Sequence, residues 1–560
     1  MTEPDKAALQ SVAAKSAAAE STADYWARQR ARRVHLPQGQ PVAHWLLTAQ
    51  ALTPTLTETP QPLQRWVQAI PAPHHLLRWE MVVAGTLDEL QTRVWQGGEH
   101  FILDFGGHRT GHCSFNLTAV PALADAPVRL RLVFGEVPPD VAEPLHPYHG
   151  VLSAAWLPEE TLTVDELPTR IRLPRRHAFR YVRVEVLATS SRFGVCFDDW
   201  LAHALTSAVG VVPALPAATP AWVRQVDLIA QATLRDCMQT VFEDGPRRDR
   251  RLWLGDLRLQ ALASHATVQA DAVLRRCLYL FAALPRSDGM VNGCVQERPS
   301  PRPGQVMVLD YAALFAVTLQ EYVQATGDLE TGVTLWPVAR RQVELLLARL
   351  DGDALFHDDG ATWCFIDWSQ TLDRDTAMQG VILFAIDRSL RLAEQIGRAT
   401  DVQDWADCAH RMRAAVHRRQ FDAALGLWRS GESGQLSVAS QAWMVLGGVA
   451  ADPAQAARAL QASLAMPGVL QPTTPYLMHY VVEALVACGQ RQQALAVIQD
   501  YWGAMVEAGA DTFWEAFEPG QPLSTPYGDL HANSWCHAWS CTPSHFFRLA
   551  GLAAEAAAIS

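Results

Sequence analysis

The chain has 560 residues, of which 46 are Lys or Arg and 58 are Asp or Glu, so its formal net charge at pH 7 is −12. This acidic balance disfavours nucleic acids and anionic membranes as partners, because phosphate contacts require clustered basic charge. The length suits about two to four domains, and 49% hydrophobic residues suffice for large cores, so disorder is not expected.

Ten cysteines are spread from Cys113 to Cys541 without a CxxC pair or the dense spacing of a secreted disulfide scaffold. We therefore expect reduced, mostly buried thiols in a cytoplasmic protein. Residues 1–20 carry acids and lysines where a signal peptide needs a continuous apolar core. No run of about 18 apolar residues predicts a membrane span.

The first part of the chain predicts β structure after a short leader. Residues 1–35 predict an Ala-rich helix that ends in a basic, solvent-facing run. Within residues 36–210, segments such as 101–105, 128–132 and 179–186 alternate apolar and polar residues and are separated by Gly, Pro and Asp clusters. This pattern is typical of an antiparallel β-sandwich.

Three prolines mark residues 211–220 as a linker, and the sequence then becomes helical. Apolar residues at i, i+3, i+4 and i+7 predict helices that begin near residues 222, 256, 270, 308, 329, 373, 401, 435, 453, 474, 490 and 533. Twelve helices form six hairpins, which predicts an (α/α)6 barrel over residues 221–552. A helical-repeat solenoid is the competing architecture, but no fixed-period self-similarity favours it.

Charged residues concentrate first in residues 243–256, where a Gly-Pro pair is expected to end the preceding helix. Asp244 and Asp249 should then lie in a loop, and Asp256 should cap the next helix. The arginines around these acids indicate either a solvated salt-bridge cluster or a site that tunes carboxylates. The embedded Trp253 favours a site.

A second segment, residues 510–518, places Trp514 beside Glu515. Such a pair suits sugar chemistry, because an aromatic face packs on the C–H face of a pyranose while the acid handles a hydroxyl or a water. An aromatic anchor for a loop explains the pair equally well. Glu518 is the nearest rival carboxylate.

A third segment, residues 531–540, is expected to open the last helix. Its histidines lack HExxH spacing, so metal binding is not expected, and His537 is either a ligand of substrate or a satisfied core histidine. Asp367 with Trp368, and Asp310 with Tyr311 at a helix start, are smaller candidates; either could be a cap beside a packed ring.

The motifs that are missing narrow the chemistry further. The sequence has no glycine-rich nucleotide loop and no GxSxG elbow, so it supports neither a nucleotide cofactor nor serine hydrolysis, and we expect no cofactor. Paired carboxylates in an aromatic funnel remain, and these are typical of a glycosidase.

Three motifs in order resemble those of the α-L-rhamnosidases of glycoside hydrolase family 78. Residues 244–256 resemble that family's acidic signature, an Asp-Cys-Pro-x-Arg-Glu/Asp stretch that ends in Trp-x-Gly-Asp. Residues 512–515 look like its second carboxylate motif, and residues 534–540 look like its terminal barrel helix. An aromatic-Asp-Trp motif at 366–368 lies between them, and the resemblance covers about residues 220–552.

The resemblance implies an inverting, exo-acting hydrolase that removes terminal α-L-rhamnose, and the expected cytoplasmic location implies small glycosides as its substrates. Carried over by position, Asp249 is the general acid that protonates the glycosidic oxygen, and Glu515 is the base that activates water. The positions implied to bind substrate are Asp244, Arg248, Trp253, Asp256, Asp367, Trp368, Trp514 and His537.

Two residues depart from the family pattern. Asp249 is one methylene shorter than the Glu often found there, which leaves Glu243 as a reserve acid, and Gly245 replaces a Cys. The chain also ends in a helix without a C-terminal β domain, so we expect a compact two-domain form, reasonably a homodimer.

Other functions stay open at this point. Another inverting glycosidase, acting on α-glucosides or uronic-acid disaccharides, could use the same barrel, because fold alone does not decide the substrate. A polysaccharide lyase would need a Tyr, His or Lys base in place of the carboxylate pair. A catalytically inactive carbohydrate-binding protein is the alternative outside enzymes.

Overall fold

The structure, a computed structural model, describes residues 24–27 and 37–559. Residues 24–27 are helical, and the rest of the leading helix predicted for residues 1–35 lies outside the described residues. The described chain has a β-rich first region and a helical second region, so the predicted fold class is confirmed.

The first region is an antiparallel sheet whose strands in the described chain are β1 Thr57–Pro62, β2 Arg65–Pro71, β3 Trp79–Gly85, β4 His100–Val120, β5 Val128–Gly135, β6 Glu159–Val164, β7 Thr169–Arg172, β8 His177–Ala188 and β9 Gly194–Thr206. Their order is β1-β9-β4-β8-β5-β6, with β2 joining β3 to β4 and β7 added to β4. The long β4 pairs through its first half with β2 and β8 and through its second half with β7 and β9. Alternating residues of these strands, among them Phe115, Phe179, Phe197 and Trp200, form the core.

Three helices also lie in this region: α1 Ala43–Ala51, α2 Leu87–Thr92 and α3 Pro138–Ala142. The alternation of residues 36–210 does not predict them. Helix α1 follows extended residues near Gln38, which bridges to Arg286 of the second region, and it packs on that region. Part of the predicted β domain therefore belongs structurally to the surface of the helical one.

The second region is a barrel of helical hairpins, in which an outer helix is followed by an inner one. The helices are α4 Ala221–Cys237, α5 Leu254–Ala266, α6 Asp271–Ala283, α7 Leu309–Thr326, α8 Leu329–Leu347, α9 Asp375–Gln395, α10 Trp405–Gln420, α11 Val438–Leu446, α12 Pro453–Ala465, α13 Pro475–Ala487, α14 Arg491–Glu507 and α15 Pro543–Arg548, with α16 Leu552–Ile559 at the end of the described chain. Short strands β10 Leu252–Trp253, β11 Cys294–Gln296, β12 Arg302–Pro303, β13 Phe421–Asp422 and β14 Leu427–Trp428 lie in the connections.

Helices α5, α7, α9, α11 and α13 contact one another in sequence, and α15 closes this inner ring against α5. Eleven of the twelve predicted helices begin within four residues of the predicted position. Among the described residues, no helix is both long and apolar enough to cross a bilayer.

The prediction of a helix that begins near residue 533 is wrong. This segment is a loop with single 3₁₀ turns at Leu530–Ala532 and Ala538–Ser540, and α15 begins only at Pro543. Its backbone donors are taken by distant acceptors: Trp535 N–H donates to Glu136 Oε2 at 2.8 Å, and Ala538 N–H donates to the Asp244 carbonyl at 2.7 Å. These bonds replace the i−4 bonds of a helix.

A buried ionic network joins the two regions beneath this loop. His108 lies 2.7 Å from Asp236 and 2.9 Å from Glu136, and the Arg247 guanidinium binds Asp140 of α3 through two bonds of 2.5 and 2.9 Å. Since Glu136 also accepts the Trp535 N–H, the first region fixes two barrel loops. Those loops carry the candidate site.

Candidate active site

A cavity of about 250 Å³ opens at the mouth of the barrel, where the inner helices α5 and α7 begin. Most of its lining comes from the barrel loops, and Trp156 and residues 151–153 come from the first region. Among the described residues, no cluster of His, Cys, Asp or Glu has the arrangement of a metal site.

The first charged loop runs from the end of α4 to β10. Helix α4 already ends at Cys237, so the expectation that the Gly-Pro pair ends it is wrong. Just after the helix, the Met238 carbonyl accepts a hydrogen bond from the Ser207 N–H of the first region at 2.9 Å. Asp244 Oδ1 accepts the Arg251 N–H at 3.0 Å, which closes the loop. Between them Asp249 has a φ of 58°, in the left-handed region.

Asp249 lines the cavity from this loop with 22% of its side chain exposed, and Arg251 Nη1 lies 4.0 Å from its carboxylate. A left-handed backbone conformation costs free energy for most residues but is tolerated by Asp, so the residue type at position 249 suits the conformation of the loop. It places an accessible carboxylate at the rim of a cavity whose other acids are buried.

Asp256 is the third residue of α5, and the N-cap position predicted for it belongs to Trp253. Its Oδ1 has no hydrogen-bond partner among the described residues and lies 3.4 Å from His537 Nδ1. Burial and the charge of Glu515 raise the pKa of Asp256 well above its usual value. Burial and the carboxylates of Asp249 and Asp256 do the same for the pKa of Asp244.

Glu515 is the most tightly held carboxylate of the cavity. Arg248 Nη2 donates to its Oε2, the Tyr527 hydroxyl donates to its Oε1, and the Ser534 N–H lies 3.3 Å from Oε2. The Arg248 guanidinium also lies 4.2 Å from the Tyr527 ring centre. These contacts fix the orientation of Glu515 in an environment that is only 2% exposed.

His537 lies between two of these acids, with Nε2 4.0 Å from Glu515 Oε1. Burial and the charge of Arg248 lower the pKa of His537 well below its usual value, so the ring is neutral at pH 7. Its Nδ1 has no hydrogen-bond partner among the described residues. A neutral imidazole and a carboxyl oxygen without partners are groups that sugar hydroxyls can satisfy.

Aromatic rings form the rest of the wall. Phe365 stacks on Trp539 with ring centres 5.6 Å apart and meets Trp368 edge-on at 4.8 Å. The other aromatic residues that line the cavity are Trp26, Trp156, Trp253, Tyr311, Trp363 and Tyr527. Ring faces beside a few oriented polar groups are a sugar-binding arrangement.

Two predicted substrate-binding residues are not at the cavity. Trp514 is fully buried, with its ring 5.0 Å from Trp535, and packs in the core. Asp367 accepts the Thr473 N–H at 2.8 Å and the Thr474 hydroxyl at 2.6 Å, so it holds the start of α13. The expectation that Trp514 and Asp367 lie in the sugar-binding cavity is therefore wrong, because both side chains hold other parts of the fold together.

The two rival carboxylates also lie elsewhere. Glu243 binds Arg176 at 2.6 Å and faces a different cavity, and Glu518 lines a separate depression. The predicted residues that the structure brings together at the mouth cavity are Asp244, Arg248, Asp249, Trp253, Asp256, Trp368, Glu515 and His537.

Tyr527, Trp156, Arg251 and Trp26 were missed by the sequence reasoning. Tyr527 lies in a Pro- and Gly-flanked loop, and Trp156 in a single 3₁₀ turn, so neither has a periodic pattern around it. Trp26 lies in the leader, for which the basic run predicted a solvent-facing surface and no part in a site. Tyr311 was noted only as a ring at a helix start.

Family models match most of the chain. The glycosyl hydrolase family 78 alpha-rhamnosidase N-terminal domain matches residues 63–204, and the bacterial alpha-L-rhamnosidase 6 hairpin glycosidase domain matches residues 219–549. No curated protein matches the chain by sequence.

Solved structures are similar over nearly the whole chain. A rhamnosidase from Klebsiella oxytoca with rhamnose bound is 41% identical, with a TM-score of 0.89 over 91% of this chain and 99% of that one. A GH78 family rhamnosidase of Bacillus sp. GL1 is 21% identical, with a TM-score of 0.69 over 84% of this chain and 49% of that one. The α-L-rhamnosidase of Streptomyces avermitilis complexed with L-rhamnose is 18% identical, with a TM-score of 0.65 over 89% and 44%. The last two similarities concern the fold alone.

Proposed function

The chain belongs to glycoside hydrolase family 78, and on that premise we propose that it removes terminal α-L-rhamnose by an inverting mechanism with Asp249 as general acid and Glu515 as general base. One observation carries the residue assignment. The accessible carboxylate of Asp249 and the buried, oriented carboxylate of Glu515 line the same cavity, beside aromatic walls.

In the proposed reaction the C–O bond to the leaving group breaks as a water attacks the anomeric carbon from the opposite face. Asp249 gives its proton to the leaving oxygen, and Glu515 takes a proton from the water. The bonds from Arg248 and Tyr527 hold Glu515 in place for this transfer. An inverting pair needs about 6.5–9.5 Å between its carboxyl groups so that the water fits.

The remaining polar groups would hold the sugar. Asp256 Oδ1 and His537 Nδ1 are buried and have no hydrogen-bond partner among the described residues, so rhamnose hydroxyls would satisfy them. Asp244 is already bound to the Arg251 N–H and supports the loop of the acid as well as the cavity wall. Trp253 and Trp368 supply ring faces.

The activity test is hydrolysis of p-nitrophenyl α-L-rhamnopyranoside beside p-nitrophenyl α-D-glucopyranoside. We expect release from the rhamnoside, and proton NMR of the first product should show the β anomer of rhamnose. Release of the α anomer first would reject inversion, and release from the glucoside alone would reject the substrate class.

Two variants with matched controls test the carboxylate roles. Glu515→Gln should lower kcat by about 10²–10⁴-fold on every rhamnoside, while Glu518→Gln on the same loop should not. Asp249→Asn should lose far more activity on a rhamnosyl disaccharide than on the nitrophenyl glycoside, because nitrophenolate needs little protonation to leave. The same selective loss in Glu243→Gln, with normal Asp249→Asn, would move the acid to Glu243.

We further propose that the protein acts in the cytoplasm on small glycosides and forms a homodimer. Eight of the ten cysteines are buried, which fits a reducing compartment. Cell fractionation tests the location, and sedimentation equilibrium tests the dimer.

A further inference from the structure

A second cavity adjoins the mouth cavity and has an opposite charge character. Its volume is about 630 Å³, against about 250 Å³ for the mouth cavity, and it lies between the β-rich region and the barrel. Six arginines line it: Arg175, Arg176, Arg250, Arg251, Arg298 and Arg302. We call this cavity the arginine pocket.

Acidic residues do not balance these arginines. The lining contains three carboxylates, Glu243, Glu297 and Asp249, against six guanidinium groups, in a chain whose net charge is −12. Arg176 is paired with Glu243 at 2.6 Å, and Arg175 lies 3.3 Å from Glu160 outside the lining. The pocket is therefore a local positive site on an acidic protein.

Two of the arginines have no carboxylate within ion-pair distance among the described residues. Arg250 donates to the main-chain carbonyl of Pro246 at 2.9 Å, and Arg302 donates to the Gln296 side chain at 2.6 Å. Burial and the charge of Arg176 lower the pKa of Arg250 to about 10. Like charges crowded in this way attract an anion.

The role of the arginine pocket follows from its position beside Asp249, the proposed general acid. Asp249, Arg251 and Trp156 line both cavities, whereas Glu515 lines only the mouth cavity. The acid must face the glycosidic oxygen, which joins the cleaved sugar to the leaving group. If rhamnose occupies the cavity of Glu515, the leaving group extends past Asp249 into the arginine pocket.

We propose that the arginine pocket binds the leaving group and selects glycosides in which rhamnose is attached to a sugar bearing an anionic group, a hexuronate or a sulfate ester. This inference rests on the proposed function. Guanidinium groups bind carboxylates and sulfates through paired hydrogen bonds, and Trp156 at the boundary offers a face for the second sugar ring.

The test compares disaccharides that differ only in charge. The substrates are α-L-rhamnosyl-(1→4)-D-glucuronic acid, the same disaccharide with glucose, and the glucose form sulfated at O6, with p-nitrophenyl α-L-rhamnopyranoside as reference. We expect kcat/KM for an anionic disaccharide to exceed that for the glucose form by about tenfold or more. The uronate and sulfate arms distinguish the two sources of the charge.

Salt and variants separate a charge effect from shape. Raising ionic strength from about 0.01 M to about 0.15 M should reduce the preference for the anionic substrate, because screening shortens the Debye length from about 30 to about 8 Å. Arg302→Gln should reduce the preference several-fold, and Arg302→Lys should keep part of it. Arg418→Gln, an exposed residue of α10, is the matched control.

The outcomes are distinguishable. Equal kcat/KM for the charged and uncharged disaccharides, or a preference that neither salt nor Arg302→Gln reduces, would overturn this inference while leaving the rhamnosidase assignment standing. No release from the nitrophenyl rhamnoside would instead reject the proposed function and the inference with it.

Discussion

Two clusters of charged residues in the barrel differ in how far their charges are balanced. The mouth cluster consists of Asp244, Asp256, Glu515 and Arg248; the inner cluster consists of Arg258, Glu321 and Glu483. In the inner cluster Arg258 makes two bonds of 2.8 and 3.1 Å to Glu321 and two of 2.8 and 3.0 Å to Glu483. In the mouth cluster three carboxylates meet one guanidinium, which binds Glu515 and not Asp244 or Asp256, and whose Nε donates to the Ala532 carbonyl at 2.6 Å.

Helix α5 carries a residue of each cluster, Asp256 at the mouth and Arg258 in the inner cluster, so the difference lies in the partners that each residue meets. Glu321 lies 321 − 311 = 10 residues along α7 from Tyr311 of the mouth cavity, which is about 15 Å. Burial by itself would raise the pKa of Glu483, but the charges and hydrogen bonds of Arg258 and His479 together more than offset it and hold that pKa well below its usual value. The pKa of Asp256 is raised. Loss of one partner from a balanced buried pair is strongly destabilising, whereas carboxylates with perturbed pKa values and no counterion are typical of a functional site.

The largest effect is expected from breaking the inner cluster. Arg258→Met leaves Glu321 without a counterion among the described residues and Glu483 with the more distant Arg388 at 4.0 Å, so it should lower the free energy of unfolding by about 3–5 kcal/mol. Urea unfolding followed by tryptophan fluorescence measures it. In the folded protein kcat/KM should stay near that of the unmodified enzyme, because the cluster does not line the mouth cavity.

The control for that change is to neutralise the whole inner cluster. Replacing Glu321 and Glu483 by Gln together with Arg258→Met should recover much of the lost stability, since no buried charge is left unpaired. A triple variant as unstable as the single one would mean that packing of the Arg258 side chain, and not its charge, holds the helices.

At the mouth the opposite result is expected. Asp256→Asn removes an acid that burial and Glu515 disfavour, so the unfolding free energy at pH 7 should rise by about 1 kcal/mol. It also removes a proposed hydroxyl acceptor, so kcat/KM for the rhamnoside should fall by about 10–100-fold. Loss of both stability and activity would show that Asp256 has a structural role like that of Arg258.

The pH dependence of stability should have opposite signs for the two clusters. The raised pKa of Asp256 means that its contribution favours folding in acid and is lost as pH rises through that pKa; the lowered pKa of Glu483 means that its contribution is present above the usual Glu pKa and is lost as pH falls. The gain in Asp256→Asn should therefore vanish below about pH 4, and the loss in Glu483→Gln should shrink there. Unfolding midpoints between about pH 3 and pH 7 measure both slopes, and parallel slopes would contradict the comparison.

The smallest effect is expected at the rim of the mouth cavity. Trp26 donates its indole N–H to the Pro526 carbonyl at 2.7 Å and stacks on Tyr527 with ring centres 5.5 Å apart. Trp26→Ala should raise KM for the rhamnoside by about three- to tenfold, corresponding to about 1 kcal/mol, with little change in kcat. A fall in kcat alone would mean that Trp26 acts through Tyr527 on Glu515.

The sequence reasoning placed residues at the cavity where one short segment contains its own signal. Residues 244–256 hold Asp244, Asp249 and Asp256 within thirteen positions, and all three line the cavity. It failed for Trp514 and Asp367, which have the same residue types but face the core and the start of α13. A motif states which side chains are present, whereas their direction depends on packing.

Periodicity and local motifs were enough to determine an antiparallel β region, a barrel of helical hairpins and a pair of carboxylate motifs, because these depend on neighbours a few residues apart. Only the tertiary structure decided which groups complete the site. Arg248 reaches Glu515 across 267 positions, and Trp156 of the first region lines the same two cavities as Asp249. Contacts between distant segments leave no periodic trace in the chain, so their partners, and the charge balance that separates a site from a structural ion pair, exist only once the barrel and the sheet are packed together.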